Sequence, residues 1–273
     1  MANITTTTAA AFIPEIWSKE IISAVESNLV LAPLVWRFDA EAKKFGDTIH
    51  VPSLTNLVAN DKVANLPTSP QSPTEANTDI SLDTHKETTF FVEDIAETQA
   101  MQNQMGLYTG KAGYAIAEAI DTALAALAAG FSQTYGTYNT AITTDVVLDS
   151  VQALDDADAP ANDRVFVFRP DVKRDLLDLA AYTSSDYIEG KPVSTGSIGD
   201  LYGVSTFMST NIYKTGTSTN NMLFQKDAIA LALQTAPRTQ SAYDLEYLGN
   251  RVTVDTVFGV KEMRDTFGVL VKT

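Results

Sequence analysis

Cysteine is absent from these 273 residues, and histidine occurs only twice, as His50 and His85. Without a thiol there is no disulfide framework, thiolate zinc site, iron–sulfur centre or cysteine nucleophile. Neither histidine sits at helical spacing from another metal ligand, so no metal and no cofactor is expected. Basic residues are scarce: 19 Lys+Arg face 34 Asp+Glu, a net charge of −15. Residues 46–94 alone hold eight acids and two lysines. Cut into five blocks, the chain has no net-basic block, so it shows no broad footprint for tight nucleic-acid binding. A run of about 18 apolar residues is missing too, and no membrane partner is expected. The start, Met1 to Thr8, has no Lys or Arg before an apolar core and does not read as a secretory signal. The length allows one large domain or two modest ones, with ample core.

What is present is architectural. Residues 1–12 are small and polar and read as an arm. Ile13, Trp17, Ile21, Val25 and Leu29 then recur about every fourth residue and predict a helix. Thr48 to Pro52 alternates as a strand, and Ile80, Leu82 and Thr88 to Val92 read as returning strands. Between them, residues 59–78 are rich in Asn, Pro, Ser and Thr. The whole predicts an extended hairpin of about 45 residues, too poor in apolar side chains to bury itself, and long enough to be functional. From Asp94 to Gly130 one broad apolar stripe predicts a long helix, with Lys111, Glu118 and Asp121 mostly off the stripe. Residues 131–143 read as a loop. Residues 145–235 alternate helix and strand: helix 145–157, strand 164–168, a helix capped by Asp171, and strand 204–208. At the end, Val252, Val254, Thr256, Phe258 and Val260 share one strand face, and Phe267, Val269 and Val271 predict its hairpin partner.

The search for catalytic chemistry finds little. Gly106 to Ala112 looks like a phosphate loop, but the spacing is one residue short and Ala112 stands where a Ser or Thr should hold magnesium. Gly196, Gly199 and Gly203 lack the dinucleotide spacing and read as turns. Asp155, Asp156 and Asp158 have no closing glycine turn or bidentate Glu for calcium and read as a solvated helix end. Asp171, Asp175 and Asp178, interleaved with Lys173 and Arg174, read as a solvated face. A triad would need His50 or His85, both beside the extended hairpin. No catalytic residue is nominated.

The order of parts resembles the major capsid proteins of tailed bacteriophages, whose fold is shared with encapsulin-type shells. The stretches that carry the resemblance are Ile13 to Ser18, Phe45 to Pro52, Phe90 to Ile95, Gly196 to Val204, Ser209 to Tyr213, Leu245 to Arg251 and Phe258 to Val260. They run over nearly the whole chain, and their order is more specific than any one of them. The resemblance implies an α+β fold in four parts. Residues 1–44 would be the N-terminal arm and helix, and 45–92 the extended loop. Residues 93–144 with 236–273 would form a peripheral domain with a spine helix and long β-hairpin, and 145–235 an axial α/β domain. It implies a major capsid protein whose copies form hexamers and pentamers of an icosahedral head. The head would enclose double-stranded genome DNA without tight sequence-specific binding. It further implies a portal, a separate scaffolding protein because the arm begins almost at Met1, assembly in the host bacterial cytoplasm and a place in the virion. Trp17, Asp61, Lys62, Asn65 and Leu66 are the candidate subunit-interface residues. Two alternatives stand beside this reading: a nanocompartment shell around a cargo enzyme, and a soluble α/β enzyme with a mobile lid over residues 53–80.

Overall fold

A computed structural model describes residues 30–40, 42, 46–54, 57–65, 67–73, 75–95, 104–179 and 199–273. After a short 3-10 turn at Ala32–Leu34 come β1 (Trp36–Arg37), β2 (Thr48–Leu54), β3 (Glu75–Ser81) and β4 (Thr84–Glu93). Next are α1 (Gln104–Ala126), β5 (Gln133–Gly136), α2 (Thr144–Asp156), β6 (Arg164–Phe168) and α3 (Pro170–Asp178). The chain closes with β7 (Ser205–Met208), β8 (Lys214–Thr215), β9 (Ser218–Gln225), β10 (Ile229–Asp244), β11 (Gly249–Glu262) and β12 (Gly268–Lys272).

These strands form three sheets. β2 and β3 pair alone, antiparallel, from Thr48↔Ser81 to Leu54↔Glu75. A four-stranded sheet runs β1-β10-β11-β4. A six-stranded sheet runs β5-β12-β9-β6-β7, with β8 on β9. Local signals explain the helices. Thr143 caps α2 by accepting from the Val146 N–H at 3.4 Å. Pro170 opens α3, where its missing N–H costs nothing. Every residue of β6 is buried, as an almost unbroken apolar run should be.

Strand alternation decides how the layers stack. Val254 and Phe258 of β11 and Ile229 and Leu231 of β10 join Ile116, Ile120 and Leu124 of α1 in the main core. That core continues without interruption into Phe166, Leu223 and Val269 of the six-stranded sheet. The intervening β10 residues, Ala230 and Ala232, turn the other way and form a small second core with Phe38, Ile49, Ile80 and Leu82. The two periodicities of one strand thus join the helix on one side and the loop hairpin on the other.

Several expectations change. The loop hairpin closes at Ser81, and the strand through Val92 instead pairs with β11, from Thr84↔Phe258 to Glu93↔Gly249. β11 and β12 are not hairpin partners: β11 pairs with β10 over Ile229↔Glu262 to Asp244↔Gly249, while β12 lies between β5 and β9. The expected loop at 131–143 contains β5, which only pairing with a strand over 130 residues away creates. The boundary expected at 235/236 falls inside β10, and β12 shares its sheet with β6, β7 and β9. Asp121, expected off the apolar stripe, is fully buried. The stretch Tyr108–Gly130 is also long and apolar enough to cross a membrane by composition, but half of it is buried against the rest of this fold. Two acidic clusters are more structured than solvated faces. Asp155 holds the buried Arg164 guanidinium at 2.6 Å, and Asp171 holds Lys214 at 2.6 Å.

Candidate self-assembly surface

The loop hairpin is rooted firmly and capped loosely. At the root, Ile49 faces Ile80 across a rung, and Ile80 is fully buried. The Leu82 N–H donates to Asp47 O at 2.7 Å, and Gln234 Nε2 donates to Gly46 O at 2.8 Å. The hairpin crosses the four-stranded sheet at Gly259, where a Cβ would stand 2.1 Å from the Ser81 carbonyl oxygen. Only a glycine allows that approach, and a glycine inside a strand is the sequence signal for it.

On the same face of β11, four residues along, Asp255 is buried between Arg238 and His85. Arg238 grips it with Nε and Nη2, both at 2.9 Å at closest, and His85 Nε2 lies 3.2 Å from Oδ2. The Arg238 hydrogen bonds, with help from His85, hold the Asp255 carboxyl below the usual carboxylate range against the upward push of burial. The cluster ties β4, β10 and β11 together. His50, the other histidine, sits 2.6 Å from Asp79 across the β2–β3 rung that pairs them.

Beyond the ladder, residues 57–65 and 67–73 are exposed throughout. One side-chain amide zips them: the Val58 N–H donates to Gln71 Oε1 at 2.9 Å, while Gln71 Nε2 donates to Val58 O. Of the five predicted interface residues, Asp61, Lys62 and Asn65 lie together on this exposed tip. Lys62 Nζ donates to Val63 O at 2.7 Å, and Asn65 takes the left-handed backbone (φ 62°) that Asn tolerates in a turn. Trp17 and Leu66 lie outside the described residues. The tip also presents Leu57, Val58 and Val63, each more than half exposed, which the sequence reading did not nominate. They are isolated apolar residues in a polar stretch, with no periodicity to mark them.

A second exposed apolar patch lies at the far end of β10–β11. Leu245, Tyr247 and Leu248 crown the turn, and Phe91 meets Tyr247 edge to face at 6.1 Å. Tyr243 Oη donates to Asp94 at 2.7 Å, and Arg251 pairs with Asp244 at 2.7 Å. Concave sites offer less. An open cleft of about 330 Å³ beside α3 is lined by Asp171, Arg174, Asp175 and Lys214, whose charges already neutralise one another.

A thin, rooted hairpin extends beyond a two-sheet body, and known structures share this fold. The structure superposes on a protein of Mycobacterium phage Che8 with a TM-score of 0.79, at 23% identity, covering 89% of this chain and 90% of that one. A capsid structure of cyanophage P-SCSP1u gives 0.73 at 14% identity, over 89% and 87% of the two chains. A virus-like particle from Pyrococcus furiosus gives 0.63 at 11% identity, over 94% and 98%. No curated protein matches. The family model described as phage capsid protein matches residues 46–260, and the chain belongs to that family. It is a major capsid protein and a virion component, and family and fold point to a structural rather than an enzymatic role.

Proposed function

We propose that copies of this chain form hexamers and pentamers that close into an icosahedral head around double-stranded DNA. The loop hairpin of one copy would lie on its neighbour, using Asp61, Lys62 and Asn65 with Leu57, Val58 and Val63. The patch at Leu245, Tyr247 and Leu248 would supply a second contact. The observation that carries the reading is the mismatch between the hairpin's rigid root and its uncovered tip. A two-stranded ribbon is marginal alone in water, and a tip with three exposed aliphatic residues gains stability only against another surface. A division redrawn along the sheets, with α1 and β10–β11 as peripheral and the six-stranded sheet as axial, belongs to this proposal. So do a portal, a separate scaffolding protein and assembly in the host cytoplasm. A net charge of −15 favours a container that surrounds DNA without gripping it. Negative-stain electron microscopy of the purified protein, alone and with candidate scaffold, tests the shell. Closed particles are expected, and a discrete monomer or dimer at every concentration would overturn it. Nuclease-resistant DNA in particles from infected cells tests the contents; a protein cargo instead would favour a nanocompartment.

A further inference from the structure

Asp121 is a carboxyl group in the middle of an apolar helix, fully buried. Its Oδ2 accepts from the Val30 N–H and its Oδ1 from the Leu31 N–H, both at 3.2 Å. Asn211, in the turn after β7, donates Nδ2 to Oδ2 at 3.4 Å. Three segments distant in sequence therefore converge on one side chain. Just beyond, Leu31, Ala32 and Val35 sink into the main core.

The charged groups on these elements are engaged elsewhere. Arg169 holds the 209–212 turn from its own side, donating Nη1 to Thr210 O and Ile212 O at 2.6 Å each. Pro33 and Leu34 line a cleft with Asp163, Arg164 and Lys226, and that Arg164 is bound to Asp155 and to the Ala159 and Pro160 carbonyls. On α1 itself, Lys111 and Glu118 are exposed. Asp121 thus has hydrogen bonds but, among the described residues, no counter-charge.

We propose that Asp121 is the positioning residue that anchors the Val30–Leu31 backbone to α1, and that its carboxyl is a proton-operated catch, firm when neutral and loosened when ionised. Burial, with no counter-charge among the described residues, penalises the anion and pushes the carboxyl above the usual range, outweighing the bonds from Val30, Leu31 and Asn211. Releasing Val30 and Leu31 admits water and returns the group to an ordinary value. A carboxyl whose pKa is higher closed than open favours the closed form when protonated. The catch's added strength is complete below the open-state pKa and is lost as pH rises through the closed-state pKa. When Asp121 is neutral, Asn211 can rotate its amide and accept the new O–H. The inference concerns a single subunit and stands apart from the shell reading.

Hydrogen exchange of the full chain across residues 30–35, from about pH 4.5 to 8 and corrected for intrinsic exchange, tests it. Protection should fall as pH rises, by roughly tenfold for each unit between closed and open pKa. Asp121→Asn cannot titrate and should be flat with pH, with lower protection because its NH2 cannot accept where one carboxyl oxygen now takes the Val30 or Leu31 N–H. Asn211→Asp, which places a second carboxyl beside the first, should move the fall to higher pH. A flat wild-type profile, or an Asp121→Asn profile that follows wild type, overturns the catch. If Asp121→Asn shows no cooperative melting, the Asn211→Asp comparison decides, and an unchanged profile there overturns it.

Discussion

The six-stranded sheet and the loop hairpin are both β-structure, yet they are stabilised in opposite ways. β6 and the second half of β9 are buried residue after residue, and Phe166 and Phe224 are among the largest fully buried side chains. The hairpin has one buried rung, Ile49 with Ile80, and then extends into solvent. The sheet therefore carries its own stability, whereas the hairpin borrows stability at its root and lacks it at its tip. An element stable only at one end is suited to complete its contacts on another molecule.

This contrast can be broken by experiment. The largest effect is expected from deleting residues 55–78 with a short Gly/Ser bridge. The subunit should melt as before while particles disappear from electron micrographs; particles of normal size would refute the hairpin's role. Next, Phe224→Ala should cost about 3–5 kcal/mol in urea unfolding, since the side chain is fully buried in the middle of a sheet. A matching change at the tip, Val63→Ala, should stay within about 0.5 kcal/mol. Gly259→Val attacks the join between the two regions. Its Cβ would meet backbone rather than a yielding side chain, so about 1–3 kcal/mol should be lost. Faster hydrogen exchange in β2 and β3, with β6 and β9 unaltered, would localise that damage to the hairpin's root.

Asp255→Asn should have a modest effect that depends on pH. The folded carboxyl lies low because Arg238 and His85 hold its anion, so its contribution is present above the unfolded value near ~3.9. That contribution is lost as pH falls through the lower folded value. The variant should lose about 1 kcal/mol at neutral pH, because Arg238 is half exposed and screened. Its acid-unfolding curve should lack the wild-type step, and an unchanged curve would show that the cluster contributes nothing.

Legibility in the sequence followed the range of the interactions involved. β2, β6, α2 and one face of β11 were readable, because each is specified by neighbours a few residues away. The exposed loop was readable too, from its Pro, Asn, Ser and Thr content and its few large apolar residues. Strand partners were not. Val269 and Val271 alternate equally well as a partner for β11 or as the middle of another sheet, and only the competing pairing of β10 with β11 sends them to β9 and β5. Asp121 falls off the stripe by helical arithmetic, but Val30, Leu31 and Asn211 arrive from distant positions to satisfy it. The exposed tip was half legible. Composition placed Asp61, Lys62 and Asn65 on an exposed tip, while Leu57, Val58 and Val63 declared themselves only when nothing in the fold covered them.

By itself, then, the sequence determined the chain's chemistry and its local shapes. It has no thiols and few histidines, carries an acidic balance, and holds one long apolar helix and an extended segment too polar to bury itself. Tertiary structure alone decided which strands share a sheet, that one carboxyl is buried, and that Gly259 is where the hairpin crosses. The physical reason is that propensity and periodicity act over a few residues. Pairing, burial and close approach are settled by competition among segments that meet only once the chain has folded.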